Sequence, residues 1–396
     1  MAATPAIPGE SLVTAQRDLL DPEFSQARHK IAWLDREGGL WIADVDPATG
    51  LFSPVNGKGT LIDPAAMATS DLNAIGNGPE WISTATGDQI VYTKFLAGLP
   101  HVRTNARLAL AQQVKDGSWR HGYLAPSGFM RAAPYASRDW RDPAPRISYV
   151  DPHGNHYWRN LDDPYSEQRV ESYPASQYYY ALRFADGARG ASFPAMVDGV
   201  SQVFYRDLDA GTETQLTFDP GQKDLASRAW IWHAPEFDGD LAMFTVADKT
   251  ELRVYRQSDG PAGWMLVKSV RTPVNGVINS PEYFIEDGAS YIFFVASVPP
   301  AMYPSQVFLV DIDPANASTL QLSPDSPLRI RTDPEVFVTD EGPYIYYNRQ
   351  TINAANDQYC LSCNEGVFRA YSGWFRGAST CPGRLRSPRP LPTLAR

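Results

Sequence analysis

One stretch of the sequence combines side chains that act on sugars. Two tryptophans, a histidine and a glutamate follow one another closely, at Trp230, Trp232, His233 and Glu236, and Arg228 precedes them. Tryptophan faces stack on sugar rings, and a histidine and a carboxylate can share proton transfer. The cluster therefore predicts a carbohydrate site with His233 and Glu236 as catalytic residues. Trp230, Trp232 and Arg228 would bind the substrate. Alternatively, the tryptophans fill a junction between two structural units.

Glu236 belongs to a repeated phrase, in which Pro-Glu is followed by an aromatic or apolar residue. The five copies carry Glu23, Glu80, Glu236, Glu282 and Glu335. Two weaker copies begin at Pro134 and Pro174, and the seven prolines are 40 to 61 residues apart. A period near fifty residues is typical of a repeat architecture.

Each repeat also contains an outer hairpin, with two short apolar runs separated by a turn of Pro, Gly, Asn or Asp. In the first repeat, Leu40 to Val45 turns at Asp46 to Gly50 into Leu51-Phe52. Seven starts and seven hairpins predict an all-β fold, a seven-bladed β-propeller of four-stranded antiparallel blades with almost no helix. A sandwich is the runner-up, but it does not need seven equal repeats.

The repeats divide the chain into three parts. Residues 1–20 are an N-terminal arm, which either closes the ring as a strand on the last blade or packs on the surface. Residues 21–377 form the propeller. Residues 378–396 are rich in Pro and Arg and are expected to be a disordered tail.

The repeated glutamates suggest where chemistry would occur. The innermost strand of each blade lines the central channel, so equivalent residues lie at one height and form an acidic ring. Carboxylates gathered in this way have raised, coupled pKa values and can run glycoside hydrolysis. Either Glu282 or Glu335 is the predicted second catalytic carboxylate, and Glu23 and Glu80 would contact substrate. Alternatively, each glutamate accepts backbone N–H bonds at its blade junction.

A further predicted substrate-binding group is the opening of the third repeat, with Arg138, Trp140 and Arg141. Arginine and tryptophan together could bind an acidic sugar or another carboxylate. The alternative is a solvated loop whose arginines pair with the adjacent Asp139 and Asp142.

Composition excludes several other functions. A net charge of −10 argues against nucleic-acid binding, and no apolar run is long enough for a membrane span. The His153 and His156 pair supplies only two ligands, so no metal or other cofactor is expected. Cys360 and Cys363 form either a small loop disulfide or two free thiols. The first ten residues lack the regions of a signal peptide.

The repeats resemble those of TolB-like propellers. Pro22 to Ser25, Ile31-Ala32-Trp33 and Leu40 to Asp46 look like one such repeat. The resemblance covers residues 21 to about 350 and implies architecture together with a periplasmic or secreted location. Asp333 to Phe337 and Trp232 to Glu236 also resemble, more loosely, the blade openings of arabinanase-type glycosidases.

These observations together predict a monomeric carbohydrate-active hydrolase or lyase that acts on a glycan at the channel mouth. The alternative is a non-catalytic TolB-like propeller that binds a protein or glycan partner. A biosynthetic enzyme that uses the aromatic pocket for another small molecule is a third hypothesis.

Overall fold

The protein is described by a computed structural model. The structure is described for residues 9–52, 59–84, 87–126, 128–137, 145–170, 182–185, 189–224, 229–258, 263–272, 276–297, 304–316, 319–352 and 360–372. Four predicted binding residues, Arg138, Trp140, Arg141 and Arg228, lie outside these ranges, as does the predicted tail 378–396.

The described residues form seven antiparallel four-stranded sheets in a ring, which confirms the predicted seven-bladed β-propeller. Strand β1 (Ser11–Thr14) precedes them. The first three blades contain β2 (Leu20–Ser25), β3 (Lys30–Leu34), β4 (Leu40–Asp44) and β5 (Thr60–Asp63); β6 (Glu80–Thr84), β7 (Gly87–Phe95), β8 (Ala106–Gln113) and β9 (Trp119–Tyr123); and β10 (Ala132–Ala136), β11 (Arg146–Val150), β12 (His156–Asn160) and β13 (Gln168–Val170).

Blades four to seven follow the same order from the axis outward. They contain β14 (Arg183–Ala185), β15 (Gly190–Val197), β16 (Val200–Asp207) and β17 (Glu213–Gln215); β18 (Trp230–His233), β19 (Leu241–Ala247), β20 (Glu251–Gln257) and β21 (Trp264–Arg271); β22 (Val277–Glu286), β23 (Ala289–Ser297), β24 (Ser305–Asp311) and β25 (Leu320–Gln321); and β26 (Ile330–Thr339), β27 (Gly342–Gln350) and β28 (Asn364–Tyr371).

Helical structure in the described ranges is limited to segments of three or four residues. They are the α-helix α1 (Leu72–Ile75) and 3-10 turns at Thr69–Asp71, Arg103–Asn105, Pro164–Ser166 and Pro235–Phe237. None of the described helices is long and apolar enough to cross a membrane.

Blade seven takes its outermost strand from the other end of the chain. β1 pairs antiparallel with β28. The adjacent Glu10 carboxylate accepts hydrogen bonds from Arg349 Nη1 at 2.7 Å, Tyr347 Oη at 2.8 Å and Arg331 Nε at 3.1 Å. Burial alone would raise the pKa of Glu10, but Arg331 and Arg349 hold that pKa below its usual value. The ring is therefore closed by backbone pairing and by a buried ion-pair network.

The repeated proline phrase has a structural meaning in the inner strands. β2, β10, β22 and β26 each contain a β-bulge at the phrase. The residue before the proline is left-handed, with φ of 50° at Asp21, 52° at Ala133, 45° at Ser280 and 48° at Asp333. Proline cannot donate a ladder hydrogen bond, so the strand pairs on either side of it and bulges around it.

Blade five departs from this pattern and corrects one prediction. Its inner strand β18 ends at His233, and Pro235–Phe237 forms a 3-10 turn before β19. The phrase therefore follows the inner strand of this blade instead of opening it. The prediction that Glu236 occupies the ring position of the other glutamates is wrong.

The outer hairpin of blade one is also longer than predicted. Its fourth strand is Thr60–Asp63 and not Leu51-Phe52, because Phe52 is a buried side chain in the hydrophobic cluster between blades one and seven. Elsewhere, aromatic side chains such as Trp33, Phe293 and Phe308 are fully buried between sheets. Face-to-face packing of this kind holds the inner strands in fixed positions around the axis.

Candidate functional site at the propeller axis

Four carboxylates from consecutive blades interact at the inner ends of the sheets. Asp21 of blade one lies within electrostatic reach of Asp333 of blade seven, Glu80 of blade two and Glu282 of blade six. Burial raises the pKa of Asp21 well above its usual value, and the three neighbouring carboxylates raise it further. The N–H group of Gly78 opposes them. We call these four residues the acidic half of the site. Because the other three carboxylates raise the pKa of Asp21, the protonation of the four groups is coupled.

Asp333 is the second strongly perturbed group of the acidic half. Burial raises the pKa of its carboxyl to about 6. Its Oδ2 atom is buried and has no hydrogen-bond partner among the described residues. The side chain borders a cavity of about 20 Å³ with Ser280, Ser297 and Ser305 between blades six and seven. A cavity of that size holds about one water molecule.

The other side of the axis carries an arginine held by aromatic rings. Arg183 lies on the inner strand β14 of blade four. Its guanidinium carbon is 4.8 Å from the ring centroid of Tyr135 and 3.8 Å from that of Trp230. Its Nη1 atom is 3.9 Å from Glu282 Oε1. Arg183, Tyr135 and Trp230 form the arginine–aromatic half, and every blade thus contributes one residue to the site.

The environments of the two halves differ in a chemically useful way. Asp21 and Asp333 hold protons more tightly than free carboxyls, whereas the cation of Arg183 lies over the π-faces of two aromatic rings. A site of this kind can donate a proton, accept a proton and bind an anion within one channel. Among the described residues, no group of three or more His, Cys, Asp or Glu side chains could hold a metal ion.

The structure places the predicted ring glutamates as follows. Glu80 and Glu282 are in the acidic half. Glu23 and Glu335 occupy the same register position just after the proline, opposite Ala32 and Tyr346 respectively, and both are partly exposed. These four glutamates are therefore equivalent in the repeat, whereas Glu236 is not.

The predicted cluster in blade five is held by blade six. Glu236 accepts hydrogen bonds from the backbone N–H and the hydroxyl of Ser290, and Trp232 Nε1 donates to the same hydroxyl at 3.0 Å. Trp232 is buried and stacks on Tyr283 at 4.4 Å. His233 is exposed, with Nδ1 2.9 Å from the carbonyl oxygen of Gly239. The geometry favours the alternative in which Trp232 and Glu236 fill a blade junction.

Three residues of the site did not stand out in the sequence, namely Asp21, Asp333 and Arg183. The Asp-Pro-Glu copies contained a signal, since Asp tolerates a left-handed conformation better than most residues and so marks a bulge. No comparable signal marks Arg183, because it lies outside any copy of the phrase.

Exposed apolar side chains lie at the same end of the propeller as the bulges. The loop between β7 and β8 carries Leu99 and Val102, and the segment between β9 and β10 carries Phe129 and Met130, all exposed. Both connections lie at the end where β10 begins, because Leu124 N–H and Arg131 N–H donate to Leu108 and Ala106 at the start of β8.

Comparison with known proteins supports the fold. No protein-family model matches the chain, and no curated protein matches its sequence. The β-propeller domain of Cps50 (Swd1) from Myceliophteria thermophila is similar with a TM-score of 0.54 and 8% identity, covering 92% of this chain and 99% of that chain. An ancestral GH74 enzyme is similar with a TM-score of 0.54 and 11% identity, covering 90% of this chain but only 48% of that enzyme.

TolB from Acinetobacter baumannii is also among the similar structures, as the resemblance of the repeats predicted. Its TM-score is 0.40 at 15% identity, covering 86% of this chain and 78% of that chain. Identities this low show the propeller fold alone.

Proposed function

We propose that the protein is a carbohydrate-active enzyme, a hydrolase or lyase, that acts on a glycan at the propeller axis. The observation that supports this proposal is the pair of perturbed carboxyls, Asp21 and Asp333, in the acidic half, whose fourth member Glu282 lies 3.9 Å from Arg183. Enzymes that cleave glycosidic bonds need one carboxyl that holds a proton and another that has lost it.

Asp21 suits the acid role, because burial and three neighbouring carboxylates raise the pKa of its carboxyl well above the usual value. Asp333, with a pKa of about 6, is largely ionised at neutral pH and suits the role of base or nucleophile. In hydrolysis, Asp21 would protonate the glycosidic oxygen while the Asp333 carboxylate activates water or attacks the anomeric carbon. In elimination, the Asp333 carboxylate would instead abstract the C5 proton next to the sugar carboxylate, a C4–C5 double bond would form as the glycosidic C–O bond breaks, and Asp21 would protonate the leaving oxygen.

A panel of oligosaccharides and polysaccharides, scored for binding and for product release, tests the proposal. Asp21→Asn and Asp333→Asn should each lower turnover on the order of 100-fold or more while the glycan affinity persists. Asp340→Asn is the matched control, since Asp340 is exposed in the turn after β26. The proposal is wrong if no glycan of the panel is bound or cleaved, or if the Asp340 variant loses as much activity.

A second candidate function is a non-catalytic propeller that binds a protein. It is favoured by Leu99, Val102, Phe129 and Met130, which are exposed at the end of the propeller where the bulges lie. This candidate predicts that Phe129→Asp abolishes binding of the partner, whereas Asp21→Asn does not. A partner that binds both variants equally would contradict it.

We also propose a periplasmic or secreted location. Cys360 and Cys363 are joined by a disulfide, and disulfides persist mainly in oxidising compartments. Alkylation of the protein from cell extracts, without prior reduction, should leave both cysteines unmodified. Rapid alkylation would favour a reducing compartment.

A further inference from the structure

The guanidinium of Arg183 has more hydrogen-bonding capacity than its surroundings use. Its side chain is only 17% exposed, yet its contact with Glu282 is long, at 3.9 Å. Nε is buried and finds no hydrogen-bond partner among the residues that the structure describes, and none of these residues accepts a hydrogen bond from the rest of the guanidinium. An arginine has five N–H donors, and burying them unpaired is costly. The guanidinium is therefore prepared for an acceptor that the described part of the chain does not supply.

Other arginines of the protein show what a satisfied guanidinium looks like. Arg331 is fully buried and donates to Glu10, to Gln306 and to the backbone carbonyls of Ser305 and Pro324. Arg256 also lies near an aromatic ring, that of Phe237, but it pairs with Asp240 at 2.8 Å. In contrast to these, Arg183 is positioned by rings and not by acceptors.

The aromatic rings restrict how an acceptor can approach. Tyr135 and Trp230 contact the guanidinium through their π-systems, at 4.8 and 3.8 Å. The edge with the N–H groups is thus left for hydrogen bonding. A planar group with two acceptor oxygens matches this edge, as in bidentate arginine–carboxylate pairs.

We propose that Arg183 is the specificity-determining residue of the axial site and binds a carboxylate of the ligand. Under the proposed function, on which the choice of substrate rests, that ligand is a glycan containing a uronic acid. Binding of the carboxylate replaces Glu282 as the partner of Arg183. The glycosidic bond of the same glycan then lies toward the acidic half.

Affinity measurements with matched ligands test this inference. The probes are an oligouronate and the neutral oligosaccharide of the same linkage and length, together with a short peptide carrying either a free or an amidated C-terminus. Isothermal titration calorimetry at low ionic strength gives the dissociation constants of the wild type, Arg183→Met and Arg183→Lys. Arg256→Met is the control, because it removes an arginine near an aromatic ring away from the axis.

The wild type should bind the oligouronate about tenfold or more tightly than the neutral oligosaccharide, the usual scale for a charge-assisted pair. Arg183→Met should abolish this preference, and Arg183→Lys should retain part of it because the charge remains but the planar fork is lost. Arg256→Met should leave the preference unchanged. If Arg183→Met does not fold, the inference is still tested by Arg183→Lys and by the preference of the wild type for the oligouronate over the neutral oligosaccharide.

The inference is overturned if the wild type does not distinguish acidic from neutral ligands, or if Arg183→Met and Arg183→Lys bind as the wild type does. Equal binding of both glycans, with turnover that depends on Asp21, would refute the role of Arg183 but not the proposed function. Binding of the free-carboxylate peptide through Arg183, without binding of any glycan, would refute the function and support the carboxylate site.

Discussion

Replacing Asp333 by Asn should stabilise the protein, and increasingly so as the pH rises. Burial raises the pKa of this carboxyl from 3.8 to about 6 in the folded protein. Between these values the folded state binds more protons than the unfolded state, so the wild type loses stability with rising pH and reaches a plateau above pH 6. Two pKa units correspond to about 3 kcal/mol. Asparagine is neutral at every pH and does not carry this penalty.

The free energy of unfolding should be measured by urea denaturation of the wild type and Asp333→Asn between pH 3.5 and 8. The difference between the two proteins should grow by up to about 3 kcal/mol up to pH 6 and then remain constant. Asp340→Asn is the control, with an expected difference within about 0.5 kcal/mol at each pH. A difference for Asp333→Asn that does not change with pH would refute the assignment of a raised pKa.

Two further substitutions test the supporting structure. At pH values above the usual pKa of a carboxyl, Glu10→Gln should lower the free energy of unfolding by about 3–5 kcal/mol, because it leaves the buried cation of Arg331 without its charged partner. Since the pKa of Glu10 is lowered in the folded protein, this loss should shrink as the pH falls. A loss no larger than that of the exposed control Glu37→Gln would contradict the ion-pair network. Glu236→Gln should lower the free energy of unfolding by about 1–3 kcal/mol, and its effect should not add to that of Ser290→Ala, because both remove the same hydrogen bonds. Turnover should then fall only as far as the folded fraction falls. If turnover instead falls 100-fold at unchanged stability, the predicted catalytic role of Glu236 is correct.

Much of the fold could be predicted from the sequence because its determinants are local and repeated. A proline phrase about every fifty residues, followed by an alternating run, a turn and a second run, encodes one blade at a time. The inner strands of blades one, three, six and seven follow this reading, and β1 completes blade seven. The failure in blade five has a physical cause, since a proline can equally well terminate a strand or interrupt its ladder. Trp230–His233 had already formed the inner strand before Pro235.

The candidate site was only partly predictable. Repetition predicted that glutamates of different blades meet, and Glu80 and Glu282 both interact with Asp21. Which carboxyls have a strongly raised pKa depends on the bulges. The bulges orient Asp21 and Asp333, each of which directly precedes the proline of its phrase. That orientation results from the pairing of each inner strand with its neighbour. The sequence therefore determined the blades and the acidity of the axis. The placement of Arg183 over the rings of Tyr135 and Trp230 was decided only by the tertiary structure, because these residues come from three different blades whose contact depends on closure of the whole ring.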